Sequence, residues 1–491
     1  MYFLGIDIGT SGSRSVIVDE NGRLLASETM AHEPFASPRT GWAEQDPDDW
    51  WRAASASISA AIGSSGVAAE DIAAVGFSGQ MHGAVLLDES DKPVGPAIIW
   101  CDQRTAPQCA ELTEKVGARR LIELVSNPAL PNFTLPKLLW TRENLPDQWA
   151  RVRAVMLPKD YVRLKLSGEK ATDVADGSGT LMLDVGKRAW SKEILEITGI
   201  DPAILPRLYE SPEITGTVSA AAAEETGLAK GTPLVGGAGD NAAGALGMGI
   251  VRPGDVSVTI GTSGVVFAVT DAPTIDPAGR IHTLCHAIPE TWHVTGVTQS
   301  AGLSFQWFRN NFAAGESYDE LTAAASSVAP GAEGLLWTPY LMGERTPHMD
   351  PKARASLIGL TARHTKAHVV RAILEGVAFS LRDCIEVFRG RDIPIGRIRL
   401  GGGGARSELW RKIQADIYGG QVEILEADEG AAFGAAILAG VGAGGWESVP
   451  EACEASIRVA ETVDPDPAAS KVLEERYTVF RQIYGAVHGI S

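Results

Sequence analysis

Five short segments hold residues whose types and spacing could do phosphate chemistry. The first is Gly5-Ile6-Asp7-Ile8-Gly9-Thr10-Ser11-Gly12-Ser13-Arg14, where an apolar strand ends in a carboxylate beside a turn of small residues. Bare amides in such a turn can approach a polyphosphate, and Thr10, Ser11 and Ser13 add hydroxyl donors. Asp7 suits a hydrated Mg²⁺, because hard cations take carboxylate and water oxygens, and Arg14 adds positive charge. Taken alone, the segment reads equally well as a tight hairpin with a solvated aspartate, since glycine and small polar residues dominate turns.

The second segment, Gly261-Thr262-Ser263-Gly264, repeats this pattern between two apolar runs. Two such turns suit a phosphate chain gripped from both sides of a cleft. The sequence holds no GxxxxGK[ST] P-loop; the GxGxxG at 440–445 follows a helical run rather than a strand and reads as a helix-ending turn. The third segment is Gly236-Gly237-Ala238-Gly239-Asp240-Asn241-Ala242-Ala243-Gly244. It places Asp240 at a helix N-terminus, where the macrodipole favours the carboxylate. A plain N-cap is the simpler alternative, but the glycines exceed what a cap needs and point to close approach to the backbone. The fourth, Gly79-Gln80-Met81-His82-Gly83, offers two polar side chains and one apolar contact at a strand end, where α/β sheets bind ligands. The fifth, Gly401-Gly402-Gly403-Gly404-Ala405-Arg406-Ser407, is either a bed for a nucleotide base or ribose, or a strand–helix loop rich in glycine.

The elements that must position these residues read as α/β. Strands are expected at 2–8, 14–19 and 23–29, the last two joined by a type I′ turn at Asn21-Gly22. A helix starts at Asp46-Pro47 and runs to about 62, and buried strands lie at 73–77 and 97–100. Short helices and Pro-rich loops alternate over 103–230. A second strand–turn–strand spans 255–270, a long helix 366–388, and a strand–loop–helix 398–418. A strand at 422–425 and a small-residue helix at 430–439 follow. Val472, Leu473, Tyr477, Phe480, Tyr484 and Val487 give the C-terminal segment helical spacing. The echo between the two hairpins reads as an internal duplication.

At 491 residues the chain can bury a large core, and the usual ~150 residues per domain would give about three domains. The duplication reduces that to two large lobes. With 45% hydrophobic and 21% charged residues, wholesale disorder is excluded. A net charge of -18 repels phosphate backbones and anionic lipids, which excludes nucleic-acid and membrane-surface roles. Cys101, Cys109, Cys285, Cys384 and Cys453 are odd in number and lack CxxC spacing, so neither a disulfide framework nor a zinc site is expected. Those thiols and the absence of a basic, apolar leader fit a cytoplasmic protein. The uncharged run near 430–446 is shorter than the ~20 residues of a membrane span.

In their order and spacing the five segments resemble the FGGY carbohydrate kinases, and within them the bacterial enzymes that act on xylulose. Trp42 to Trp51, LPKDYVRL at 157–164, ERTPHMD at 344–350 and residues 357–375 extend the resemblance over essentially the whole chain. It implies two duplicated ribonuclease-H-like, actin-like ATPase domains around a central cleft, with residues 1–245 binding mainly sugar and 246–491 mainly ATP. It makes Asp240 the catalytic base and Asp7 the Mg²⁺-associated aspartate. Met81, His82, Asp240 and Asn241 become sugar-binding. Thr10, Ser11, Arg14, Gly261, Thr262 and Ser263 fall at phosphate-loop positions, Gly302 and Gln306 at ATP-side positions, and Gly403, Gly404 and Ser407 at the adenosine loop. The implied reaction is phosphorylation of a ketopentose by ATP, D-xylulose at O5 foremost, by a homodimer. Glycerol kinases carry Arg-Glu where this chain has Met81-His82, which argues against glycerol. Ribulose, fuculose or erythritol remain alternatives within the class. An actin- or chaperone-like ATPase is the alternative outside it, and a non-catalytic sugar sensor fits poorly with the intact Asp7 and Asp240.

Overall fold

Alternation along Tyr2–Ile8 sends Leu4, Ile6 and Ile8 to one face and Phe3 to the other, and all four are fully buried in two different core clusters. A strand covered on both faces belongs at the centre of an α/β sheet. The computed structural model, which describes residues 1–426 and 430–489, places it there. Tyr2–Ile8 pairs antiparallel with Gly12–Asp19 and parallel with Ile72–Gly79. Leu24–Ala31 continues the sheet on one side, and Pro233–Val235 followed by Ile214–Thr217 continues it on the other.

The second sheet repeats this plan. Gly254–Ile260 pairs antiparallel with Gly264–Thr270 and parallel with Ile395–Gly402. Trp292–Thr298 extends one side, and Val422–Leu425 then Val459–Val463 the other; His282–Cys285 adds an outer strand. Neighbour by neighbour the directions match the first sheet, so the duplication expected from the two Gly-Thr-Ser-Gly turns is present. One difference bears on chemistry. In the first sheet Ile8 pairs with Gly79, one residue after Asp7; in the second Ile260 pairs with Gly402, one residue after Thr259. Only the first lobe therefore carries a carboxylate at this row.

The lobes meet through two helices of small residues. Gly430–Gly442 lies against the first sheet, with backbone on backbone: a Cβ on Gly76 would sit 1.9 Å from the Ala435 carbonyl oxygen, and one on Gly5 2.0 Å from that of Ala432. It also presses on the helix Asp240–Gly247, where a Cβ on Gly434 would sit 1.9 Å from the Ala243 carbonyl oxygen. The end of Asp240–Gly247 reaches the second sheet, with Ala245, Met248 and Ile250 packed on Phe267 and Val269. The GxGxxG at 440–445 ends the helix Gly430–Gly442; its glycines accommodate Trp446, Val235 and Phe3.

Elsewhere Asp46 caps the helix Pro47–Ser65, its carboxylate accepting from the Asp48 amide, and Lys366–Arg389 forms the long helix of the second core. Two local expectations change. At Asn21-Gly22 only Gly22 takes positive φ (75°), so the connection is not the I′ turn, which needs it at both positions. On the C-terminal helix Pro467–Val487 the inward face is Leu473, Tyr477, Phe480 and Ile483, whereas Val472 is 40% exposed. Among the described residues no helix is long and apolar enough to cross a membrane.

Candidate active site

Strand register builds the site. Arg14, Asp7, Ser78 and Ala238 form one row across four adjacent strands, and Asp240 follows Ala238 by two residues. Asp7 Oδ1 accepts from the Ser78 hydroxyl at 2.8 Å. Burial raises the Asp7 pKa against the lowering effects of Ser78 and the Arg14 charge. Arg14 donates from Nε and Nη2 to the Ser27 hydroxyl at 2.9 and 2.8 Å. The turn beyond Asp7 is closed by the Gly9 amide donating to the Gly12 carbonyl (3.0 Å). Thr10 Oγ1 accepts from the Trp100 indole at 3.0 Å and Ser11 is exposed.

Asp240 occupies the first position of its helix, with Gly239 as the cap residue, so it is not the plain N-cap. Its Oδ1 accepts from Asn241 Nδ2 at 2.9 Å, and the same amide approaches Met81 Sδ at 3.4 Å. Burial, and secondly the Asp7 charge, push the Asp240 carboxyl up to about 7. A carboxylate poised there is suited to accept a proton at neutral pH. The glycines before it admit close protein neighbours. A Cβ on Gly237, which has φ 83°, would meet the Phe77 carbonyl at 2.4 Å, and one on Gly239 would meet Met81 Cγ at 2.7 Å.

His82 sits at φ 69° with its carbonyl fixed by Lys137 Nζ (2.9 Å) and Thr134 Oγ1 (3.1 Å). Its Nδ1 lies 2.7 Å from the Gly179 carbonyl, which can only accept, so Nδ1 carries the proton and Nε2 is left as an acceptor. Burial, then the Lys137 charge, push His82 down to about 3, so the ring is neutral at physiological pH. Lys137 is itself fully buried, and burial brings it down to about 7. Sequence reading passed over Lys137; the signal was a lysine inside the apolar run Phe133 to Trp140.

In the second lobe the Gly261 amide donates to the Ser263 carbonyl, and the amides of Gly302 and Leu303 donate to the carbonyls of Gly261 and Thr262. The helix Gly302–Phe312 thus backs the turn, and a Cβ on Gly302 would sit 2.4 Å from the Gly261 oxygen. Gln306, one turn on, is exposed. Gly402, Gly403 and Gly404 adjoin Ile260 at the end of the neighbouring strand. Gly403 is exposed, whereas the bareness of Gly404 admits the Ile260 side chain. Ser407 caps Glu408–Tyr418, its hydroxyl accepting from the Trp410 amide. Ser407→Ala is expected to cost about 1 kcal/mol, read as a lower denaturation midpoint with an unchanged slope. The two groups of residues are bridged by one helix, with Asp240 at its start and Met248 against Gly401 just past its end. At 1.5 Å per residue its eight residues span about 12 Å.

Beneath Gly79, Gly236 and Gly239 lies a fully buried cluster that sequence reading missed: Lys159, Asp160, Arg163, Asp173 and Asp176. Lys159 Nζ stands 2.6 Å from Asp160 Oδ1, 2.6 Å from Asp173 Oδ2 and 3.5 Å from Asp176 Oδ2.

Comparison with known proteins places the whole chain in one family. Residues 2–247 match the N-terminal domain of the FGGY family of carbohydrate kinases and residues 256–443 its C-terminal domain. The chain is 39% identical over 483 residues to the xylulose kinase of Bacillus subtilis (strain 168), covering 98% of this chain and 96% of that one. It is 39% identical to the xylulose kinase of Lactococcus lactis subsp. lactis (strain IL1403), covering 100% and 98%. A crystal structure of a xyloylose kinase from Brucella ovis superposes with a TM-score of 0.94 at 37% identity, covering 100% of both chains. The chain belongs to the FGGY family of carbohydrate kinases.

Proposed function

We propose that this FGGY-family kinase transfers the γ-phosphoryl group of ATP to O5 of a ketopentose, D-xylulose. The observation that carries the reading is Asp240, a carboxyl pushed up to about 7 and bonded to Asn241, whose amide also reaches Met81, the residue before His82. In the reaction O5 forms a bond to the γ-phosphorus, its proton passes to the Asp240 carboxylate, and the bond from phosphorus to the β,γ-bridging oxygen breaks with its electron pair leaving on ADP. His82 Nε2 accepts from a sugar hydroxyl and Met81 offers an apolar contact. The two lobes divide the work, the first holding the sugar and the second the nucleotide, with Gly261, Thr262 and Ser263 at the phosphates and residues 403–407 at the adenosine.

Asp7 fits a hydrated Mg²⁺. It is one carboxylate at the cleft with Asp240 nearby, and among the described residues no cluster of three or more side chains could hold a metal alone. Mg²⁺ typically takes one or two carboxylates and completes its shell with water and phosphate oxygens. When bound, the ion would neutralise charge on the phosphates. The reading extends to a cytoplasmic homodimer. Five free thiols, four of them buried, fit a reducing compartment, and exposed Leu357, Ile358 and Leu360 fit a protein contact.

The test is a coupled assay with ATP and Mg²⁺ over D-xylulose, ribulose, fuculose, erythritol and glycerol. D-xylulose is expected to give the highest kcat/KM; sugar-independent ATP turnover without a phosphorylated product would overturn the proposal.

A further inference from the structure

The His82 ring packs edge-on against Phe133 at 4.9 Å between centroids, and Phe133 packs in turn against His282 at 5.6 Å. His282 belongs to the second half of the chain, so this wall of the acceptor pocket draws on both halves. Its hydrogen bonds fix a direction. Asn127 Nδ2 donates to the carbonyls of Val125 and Thr283, which leaves Asn127 Oδ1 as an acceptor. That oxygen lies 3.0 Å from His282 Nδ1, so Nδ1 carries the proton and Nε2 holds a lone pair. Arg345 Nη1 lies 3.4 Å from that Nε2.

Arg345 is unusual in what it lacks. Among the described residues no carboxylate comes within 4.0 Å of its guanidinium. Its neighbour Glu344 is turned away: Glu344 accepts from Thr298 Oγ1 (2.6 Å), the Gln299 amide (3.0 Å) and the Arg345 backbone amide (2.7 Å). A guanidinium has five N–H donors in a planar fork, and only one meets a protein acceptor, at long range. The side chain is half-buried, so its remaining donors can reach an oxygen of a bound ligand. The groups whose protonation the Arg345 charge opposes are His82 and His282, which places the guanidinium on the acceptor side of the cleft rather than on the phosphate side.

We infer that Arg345 is a specificity-determining residue of the acceptor pocket, donating to an oxygen of the ketose other than the one phosphorylated, with Asn127 and His282 setting its direction. The inference rests on the ketose-kinase reading above. It places a donor from the second lobe on the substrate held by the first, so the acceptor pocket is complete only with both.

The test uses the full-length enzyme and Arg345→Met. Binding of D-xylulose without nucleotide is measured by calorimetry, and KM for D-xylulose and for ATP by the coupled assay. Hydrogen bonds to charged groups are worth enough to weaken D-xylulose binding and raise its KM about 10- to 100-fold, with the KM for ATP within about 2-fold. Among the 1-, 3- and 4-deoxy ketopentoses, one is expected to bind wild type and variant alike, because it lacks the recognised oxygen. Unchanged D-xylulose binding, the same loss for every deoxy sugar, or a rise confined to the KM for ATP would each overturn the role of Arg345. Wild type inactive on every ketose would overturn the functional reading and this inference with it. Arg345→Lys keeps the charge but loses the fork. It is expected to raise the D-xylulose KM about 3- to 10-fold, and if Arg345→Met does not fold, an unchanged KM in Arg345→Lys overturns the inference.

Discussion

Asp240→Asn is expected to lower kcat by about 10²- to 10⁴-fold, the range general-base assistance supplies, while the sugar KM changes by no more than a few-fold. Asn keeps the size of the side chain and a carbonyl to accept from Asn241, so what is lost is the ability to take the proton from O5. The pH profile separates this role from a merely structural one. With the Asp240 carboxyl near 7 in the free enzyme, log(kcat/KM) for the sugar should rise with unit slope up to about pH 7 and then level. The residual activity of Asp240→Asn should lack that limb. Stability gives a second readout. The folded pKa lies above the unfolded 3.8, so between about pH 4 and 7 the folded chain binds more protons than the unfolded one, and stability falls as pH rises. The variant should therefore melt above wild type at pH 8, with the gap closing toward pH 4. Near wild-type turnover would remove Asp240 from the reaction.

The largest stability effect is expected from Lys159→Met, a loss of about 3–5 kcal/mol or more, the usual result of removing one partner from a buried ion cluster. The lysine holds Asp160, Asp173 and Asp176 at once, and every member is fully buried. Burial opposes the charge on Lys159, but the three carboxylates outweigh it and its pKa is raised. Burial also raises Asp173 and Asp176. Without the lysine, Arg163, which donates to Asp160 at 3.2 Å, faces three carboxylates alone. Those carboxyls would then be driven higher, so the deficit should be greater at pH 8 than at pH 5.5. Urea denaturation at the two pH values measures both claims. A loss below about 1 kcal/mol would show that the cluster relaxes freely.

How much was legible in the sequence differs by the range of the interaction. Asp7, Asp240 and the two turns could be read because strand, turn and helix start are local, and each carries its own residue signature. The duplication was visible for the same reason. The glycines at 237 and 239 were read as places where something comes close to the backbone, and what comes close there is Phe77 and Met81; Gly404 likewise adjoins Ile260. A glycine signals that something comes near without saying what. Nothing within LPKDYVRL marks Lys159 and Asp160 as a buried cluster, since the partners Asp173 and Asp176 lie in a later segment. Arg345 and His282 meet only through tertiary structure, and no spacing along the chain links them.

The helix that begins with Asp240 is clasped between the lobes by contacts in which backbone touches backbone at Ala243 and Gly434. Such contacts contain no long side chain whose rotamers could take up extra volume, so any residue larger than glycine at 434 would have to push the two helices apart rather than repack locally.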